Sequence, residues 1–244
     1  MIDFHSHILP GIDDGSRDIN MTKALLREER KQGVDLIAAT PHFYANRMSV
    51  DRFLERRSEA MKETECLRRE ADEPLPELIA GAEIYYFEGI GCAKDLIRLC
   101  ADGTRTILLE MPFLQWNEIM LKDIENIILQ QKIDVVLAHI ERYRCFQKDR
   151  NVWNRVLELP LTPQINAGSF LKKRKLFSTS RERQFCMDFV SGHSDVILGS
   201  DCHNMEDRAP NLAAARTEIE KTLGREALIR IDEMARKALT FSSA

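Results

Sequence analysis

Two histidines one residue apart open the chain, within Met1-Ile2-Asp3-Phe4-His5-Ser6-His7. Successive side chains of a strand point to opposite faces, so Asp3, His5 and His7 share one face while Ile2, Phe4 and Ile8 can pack on the other. Two neutral imidazoles converging on one point suit a divalent cation such as zinc, manganese or iron. Asp3, one step back, can hold a ring in the tautomer that ligation needs. An H-x-H pair also occurs in strands with no chemistry, so the remaining histidines decide.

Stepping along the chain, each further histidine or acid of this kind closes a short apolar run. Ser16 to Gly33 reads as a helix capped by Ser16 and stopped by Gly33, with Met21, Leu25 and Leu26 as its apolar stripe. Val34 to Thr40 reads as a strand running into Pro41-His42, and Arg52 to Ala71 as a charged, solvated helix. Leu78 to Ala82 ends at Glu83, before a helix around Cys92 to Cys100; Thr106 to Leu109 ends at Glu110, before a helix from Asn117 to Gln131. Ile133 to Ala138 ends at His139, and Leu161 to Ile165 leads into Asn166 and Ser169. After a helix near Arg181 to Ser191, Val196 to Ser200 ends at Asp201-Cys202-His203, and helices over Asn211 to Leu223 and Arg225 to Leu239 follow.

The pattern of strand, ligand-type residue and helix repeats about seven times. Strands alternating with helices make a parallel sheet, and side chains at many strand ends meet only if that sheet closes into a (β/α) barrel. His5, His7, His42, His139 and His203 lie at such ends, joined by Asp14, Glu83, Glu110 and Asp201. The sixth histidine, His193, reads as a turn residue or a charge at a helix C-terminus.

Composition bounds the setting. With 44% hydrophobic and 30% charged residues, 244 residues suffice for one large α/β domain spanning 1–244. No apolar run approaches the ~20 residues that cross a bilayer, and the opening lacks a basic stretch before an apolar core, so a cytoplasmic protein without membrane insertion is expected. Six cysteines without any C-x-x-C pair fit reduced thiols, and a net charge of -4 offers no general attraction to nucleic acid.

Four motifs stand out: His5-Ser6-His7-Ile8-Leu9-Pro10-Gly11-Ile12-Asp13-Asp14-Gly15, Thr40-Pro41-His42, His139-Ile140-Glu141-Arg142-Tyr143 and Gly199-Ser200-Asp201-Cys202-His203-Asn204. They resemble those of bacterial protein-tyrosine phosphatases in the polymerase-and-histidinol-phosphatase (PHP) superfamily, which serve capsule and exopolysaccharide production. The resemblance spans nearly the whole chain and implies a distorted (β/α)7-type PHP barrel with a trinuclear metal site at the C-terminal ends of the strands. It assigns His5, His7, Glu83 and Asp201 to a first ion, Glu83, Glu110 and His139 to a second, and Asp14, His42 and His203 to a third. A thiolate-free nitrogen and oxygen set suits Mn²⁺, the first expectation, or Fe or Zn²⁺.

The same resemblance makes Arg142 and Arg208 the grips of a phosphoryl group, because a guanidinium fork matches two phosphate oxygens. It implies hydrolysis of phosphotyrosine by a metal-bridging hydroxide, on a protein such as the tail of a bacterial tyrosine kinase. Tyr143 could lie beside a substrate ring or simply be a buried tyrosine. The basic run Lys172-Lys173-Arg174-Lys175 departs from the family pattern and is either solvated or a contact for an acidic partner.

A cysteine-dependent mechanism is disfavoured, although the spacing C-x₅-R occurs at Cys92 to Arg98 and at Cys202 to Arg208. The first has no glycine to open a phosphate-cradling loop, and the second holds Glu206 and Asp207, which repel phosphate. Two alternatives stay open on sequence: a small-molecule phosphomonoesterase such as a histidinol-phosphatase, and a noncatalytic metal-binding scaffold. Oligomeric state is not readable.

Overall fold

Short parallel strands alternate with helices from the first residues onward. In order they are β1 (Ile2–Ser6), α1 (Ile19–Lys31), β2 (Leu36–Ala39), β3 (His42–Phe43), α2 (Val50–Glu70), β4 (Glu77–Ala80), β5 (Glu83–Tyr85), β6 (Thr106–Glu110) and α3 (Glu118–Leu129). There follow β7 (Asp134–Leu137), α4 (Asn151–Leu157), β8 (Thr162–Asn166), α5 (Ser178–Gly192), β9 (Ile197–Gly199), α6 (Leu212–Leu223) and α7 (Arg225–Ala238). The computed structural model describes residues 1–171 and 178–240, so the Lys172 to Lys175 run lies outside the described residues.

The strands form two parallel sheets, β1-β2-β4 and β3-β5-β6-β7-β8-β9. Together they curl into a half-barrel whose outer strands meet: Ser6 bridges Cys202, His7 N–H donates to the Cys202 carbonyl at 3.0 Å, and Asp201 N–H donates to the His5 carbonyl at 2.7 Å. Nine short strands are described where about seven units are expected, because Thr40-Pro41 separates β2 from β3 and Gly81-Ala82 separates β4 from β5. Proline brings no N–H to a ladder, which explains the first break. Glu83 accordingly starts a strand of its own rather than ending the one before it.

Helix α1 begins at Asp18, not Ser16: the Asp18 carboxylate accepts from the N–H groups of Asn20 and Met21, both at 2.9 Å. The Ser16 hydroxyl instead donates to the Asp18 carbonyl and meets the Thr22 hydroxyl. Leu25 and Leu26 are fully buried, each worth roughly 1.5–3 kcal/mol of transfer free energy, and Gly33 ends the helix with a φ of +87°. The stretch around Cys92 to Cys100 forms two 3-10 turns, Ile90–Cys92 and Lys94–Leu99, instead of an α-helix.

Most apolar side chains join one cluster between the strands and the surrounding helices. A smaller cluster gathers Phe4, Leu108, Val136 and Ile197 from four strands with Ala235 of α7 and the adjoining Leu239. Alternation puts Leu108 and Glu110 on the same face of β6, so α7 closes one end of that face and leaves the other to the carboxylate. Among the described residues, no helix is long and apolar enough to cross a membrane.

Candidate metal centre

All nine sequence-selected ligand candidates gather where β1, β3, β5, β6, β7 and β9 present their ends. Donor atoms of His7, Asp14, His42 and His203 lie within 4.8 Å of one another, as do those of His5, His7 and Glu83, and those of His42, Glu83 and Glu110. Glu83 sits in the middle: its Oε2 is 3.3 Å from Nε2 of both His5 and His7 and 2.8 Å from His42 Nδ1, while its Oε1 is 3.0 Å from His139 Nε2. Glu110 Oε1 is 3.4 Å from the same His139 nitrogen. Asp201 Oδ1 lies 3.6 and 3.5 Å from the His5 and His7 Nε2 atoms, and Asp14 Oδ1 lies 3.5 and 3.6 Å from those of His42 and His203.

The backbone makes room for this convergence. A Cβ on Gly199 would fall 2.4 Å from the Cβ of His5, and one on Gly15 would fall 2.2 Å from the carbonyl oxygen of His7. Glycine is therefore required at both places. His139 and Asp201 have φ values of +30° and +53°, a left-handed conformation that costs a non-glycine residue roughly 1–2 kcal/mol. Such strain is characteristic of functional sites.

Hydrogen bonds set the tautomers of the two leading histidines. Gln164 Oε1 is 3.0 Å from His5 Nδ1, and Asp13 Oδ2 is 2.8 Å from His7 Nδ1, so both Nδ1 atoms donate and both Nε2 atoms carry free lone pairs. Those Nε2 atoms are 3.1 Å apart. Two lone pairs at that distance repel unless a proton or a cation lies between them, which is the arrangement a metal-binding pair requires. His139 Nδ1 and His203 Nε2, both buried, also have no hydrogen-bond partner among the described residues. The donor set contains no thiol and fits a hard or borderline divalent ion.

The expected orienting role of Asp3 is not observed. Its carboxylate accepts from the N–H and hydroxyl of Ser200, at 2.8 and 2.6 Å, and from the His5 N–H, and so braces β1 against β9. Gln164 and Asp13 do that orienting instead, and sequence reading missed both. Asp13 adjoins the selected Asp14, and its carboxylate also accepts from the His42 N–H; a neutral glutamine within β8 carries no comparable signal. Gln164 further donates to Asn166 Oδ1, whose amide donates to Asp201 Oδ2 at 2.8 Å.

Electrostatics without a cation are lopsided. Burial works to lower the His7 and His139 pKa values, but the Asp13 and Glu83 carboxylates raise the first well above its ordinary value, and Glu110 with Glu83 raises the second to about 9. Burial likewise works to raise the Glu83 carboxyl, yet the surrounding histidines hold it well below the usual range. Without another cation, protons on these imidazoles balance the buried carboxylates.

Arg208 Nη2 donates to Asp201 Oδ1 at 2.6 Å, and Arg142 lies with its guanidinium carbon 4.6 Å from the centre of the Phe113 ring. Phe113 in turn stacks on His139. Tyr143 is fully buried, its hydroxyl accepting from the Met111 N–H, and is a core residue rather than a partner for substrate. His193 caps α5, its Nδ1 donating to the Phe189 carbonyl. Cys202 is buried against Asp3 and Glu29, where burial and those two carboxyls push its thiol pKa well up, the opposite of a reactive thiolate.

Comparison with known proteins adds an independent line. The family described as "Capsular polysaccharide synthesis, CpsB/CapC" matches residues 1–238. The tyrosine-protein phosphatase YwqE of Bacillus subtilis is 30% identical over 249 aligned positions, covering 96% of this chain and 90% of YwqE. The tyrosine-protein phosphatase CpsB of Streptococcus agalactiae is 28% identical over 232 residues, covering 93% of this chain and 92% of CpsB. Among solved structures, one from a study of YwqE of Bacillus subtilis and CpsB of Streptococcus pneumoniae, described there as unique metal-dependent tyrosine phosphatases, superposes with a TM-score of 0.80 at 26% identity. The match covers 98% of this chain and 94% of that one.

Proposed function

Since the chain belongs to the CpsB/CapC family of capsular polysaccharide synthesis, we propose that it is a metal-dependent protein-tyrosine phosphatase acting in that process. The observation that carries this reading is the pair of inward Nε2 lone pairs on His5 and His7, 3.1 Å apart beside Glu83. We read residues 1–244 as one PHP-type phosphoesterase domain, counting β2 with β3 and β4 with β5 as single interrupted strands of a seven-unit barrel.

His5, His7, Glu83 and Asp201 would hold a first divalent ion, Glu83, Glu110 and His139 a second, and Asp14, His42 and His203 a third, with Mn²⁺ the preferred metal. Such ions acidify water near neutral pH and neutralise charge on a phosphoryl group. The chain's own part is to orient. Arg142, exposed at the rim and steadied on Phe113, grips phosphate oxygens in a bidentate fork. Arg208 uses one amine on Asp201 and has further N–H donors for the same group. Phe113 offers an apolar face beside His139 on which a phenyl ring can lie. The substrate would be a cytoplasmic phosphotyrosine protein such as a tyrosine-kinase tail.

Chelated protein resupplied with single metals tests this reading. Hydrolysis of a phosphotyrosine peptide should vanish on chelation and return best with Mn²⁺, and histidinol phosphate should be the poorer substrate. Full activity in metal-free protein, or a preference for histidinol phosphate, would refute it.

A further inference from the structure

We propose that the groove leading outward from Arg142 docks acidic groups that flank the phosphotyrosine on the same peptide, either carboxylates or a second phosphate. The proposal rests on the phosphatase reading and specifies which substrates that site favours. A cavity of about 630 Å³ opens on the far side of Arg142, and Arg142, Arg144, Lys148, Arg150 and Arg181 all line it. Two acids face these five cations. Glu141 is buried and accepts from the Ser169 hydroxyl, while Glu182 lies on α5.

A concentration of positive charge runs against the sign of the whole chain, whose net charge is -4. Among the described residues, none of the five cations is in an ion pair, whereas Arg155 and Arg183 nearby pair with Glu118 and Glu218 at 2.6 and 3.0 Å. Aromatic rings hold three of the five instead. Arg142, Arg144 and Arg150 lie 4.6, 4.9 and 5.8 Å from the centres of Phe113, Phe185 and Trp153. Stacking positions a guanidinium without neutralising it and leaves its in-plane N–H donors free for an anion. Arg142 links the groove to the metal cluster, since it lines the groove and lies on the Phe113 ring, which in turn stacks on His139, so a peptide whose phosphate lies at Arg142 would have its neighbouring residues over Arg144 and Arg181.

Steady-state kinetics on three matched phosphotyrosine peptides, flanked by glutamine, by glutamate or by a second phosphotyrosine, test the groove beside p-nitrophenyl phosphate as a minimal substrate. The wild type should favour the acidic peptides, and the preference should shrink at high salt. The double variant Arg144→Ala, Arg181→Ala should raise KM for the acidic peptides by about tenfold, the combined effect of two exposed charge contacts. Its kcat, its KM for the glutamine peptide and its turnover of p-nitrophenyl phosphate should stay at wild-type values. The Arg144→Lys, Arg181→Lys pair should keep most of the preference, and the two acidic peptides identify which anion is favoured. Equal losses on all substrates, or a wild type indifferent to flanking charge, would overturn the proposal. Anisotropy with a fluorescein-labelled, unphosphorylated glutamate-flanked peptide reads the groove without turnover: weaker binding by the alanine pair supports it even if the phosphatase reading fails, and equal binding refutes it.

Discussion

Gln164 shows what one neutral side chain contributes to a cluster of charges. Its Oε1 receives the His139 N–H at 2.8 Å and faces His5 Nδ1, while its Nε2 leads through Asn166 to Asp201. Replacing it by leucine should weaken Mn²⁺ binding about 10–100-fold, as loss of an outer-shell partner typically does, with the fold retained. A metal titration followed by calorimetry measures the loss, and unchanged affinity would mean that packing alone holds the rings. Arg142→Ala belongs to the opposite class. Metal content should not change, but kcat/KM on phosphotyrosine should fall about 10²-fold, or ~2.7 kcal/mol, as for a missing preorganised donor. Glu83, Glu110, His139 and Asp201 were legible because each closes an apolar run with nothing else to do there, and His5, His7, Asp14, His42 and His203 through their short motifs. Gln164 and Asp13 were not, since an amide in a strand and the first of two adjacent aspartates are equally at home on any surface.

Strand ends were easier to read than strand continuity. The apolar runs located β1, β6, β7, β8 and β9 within about a residue or two, the usual uncertainty of element boundaries, but their periodicity did not reveal the breaks at Thr40-Pro41 and Gly81-Ala82 that start β3 and β5 at His42 and Glu83. Helix α4 escaped notice because its seven residues are too few for a helical period to stand out. Backbone strain separates the elements further. Among the described residues, three that are not glycine have positive φ: His139 and Asp201, in the candidate metal cluster, and Lys132, exposed between α3 and β7. Only Lys132 is free of chemistry. Lys132→Gly should therefore stabilise the protein by about 1 kcal/mol, raising Tm by roughly 2–4 °C with kcat/KM unchanged. Scanning calorimetry checks this, and a lower Tm would show that the Lys132 side chain matters more than its backbone.

Across the whole molecule, the cluster couples folding to protons and metal. In chelated protein the raised His139 pKa means that its proton contributes stability fully below the ordinary histidine value near 6.5, and that this contribution is lost as pH rises through about 9. Tm of chelated protein should fall across that window. Metal binding needs neutral imidazoles and strengthens with pH, so Mn²⁺ should reverse the slope, and parallel melting curves with and without Mn²⁺ would contradict this coupling. The seam between β1 and β9 gives the coupling a timetable. His5 and His7 leave the ribosome before Asp201 and His203, which reach them only when β9 lies against β1. Chains fold from the N-terminus as they are made, so until β9 emerges a nascent chain has the other seven candidate ligands without Asp201 and His203, and it should hold ions only loosely. The bound metal should then be set after translation, by whichever divalent ion is abundant when the chain closes this seam, and metal analysis of protein produced in media of different divalent-ion content checks it.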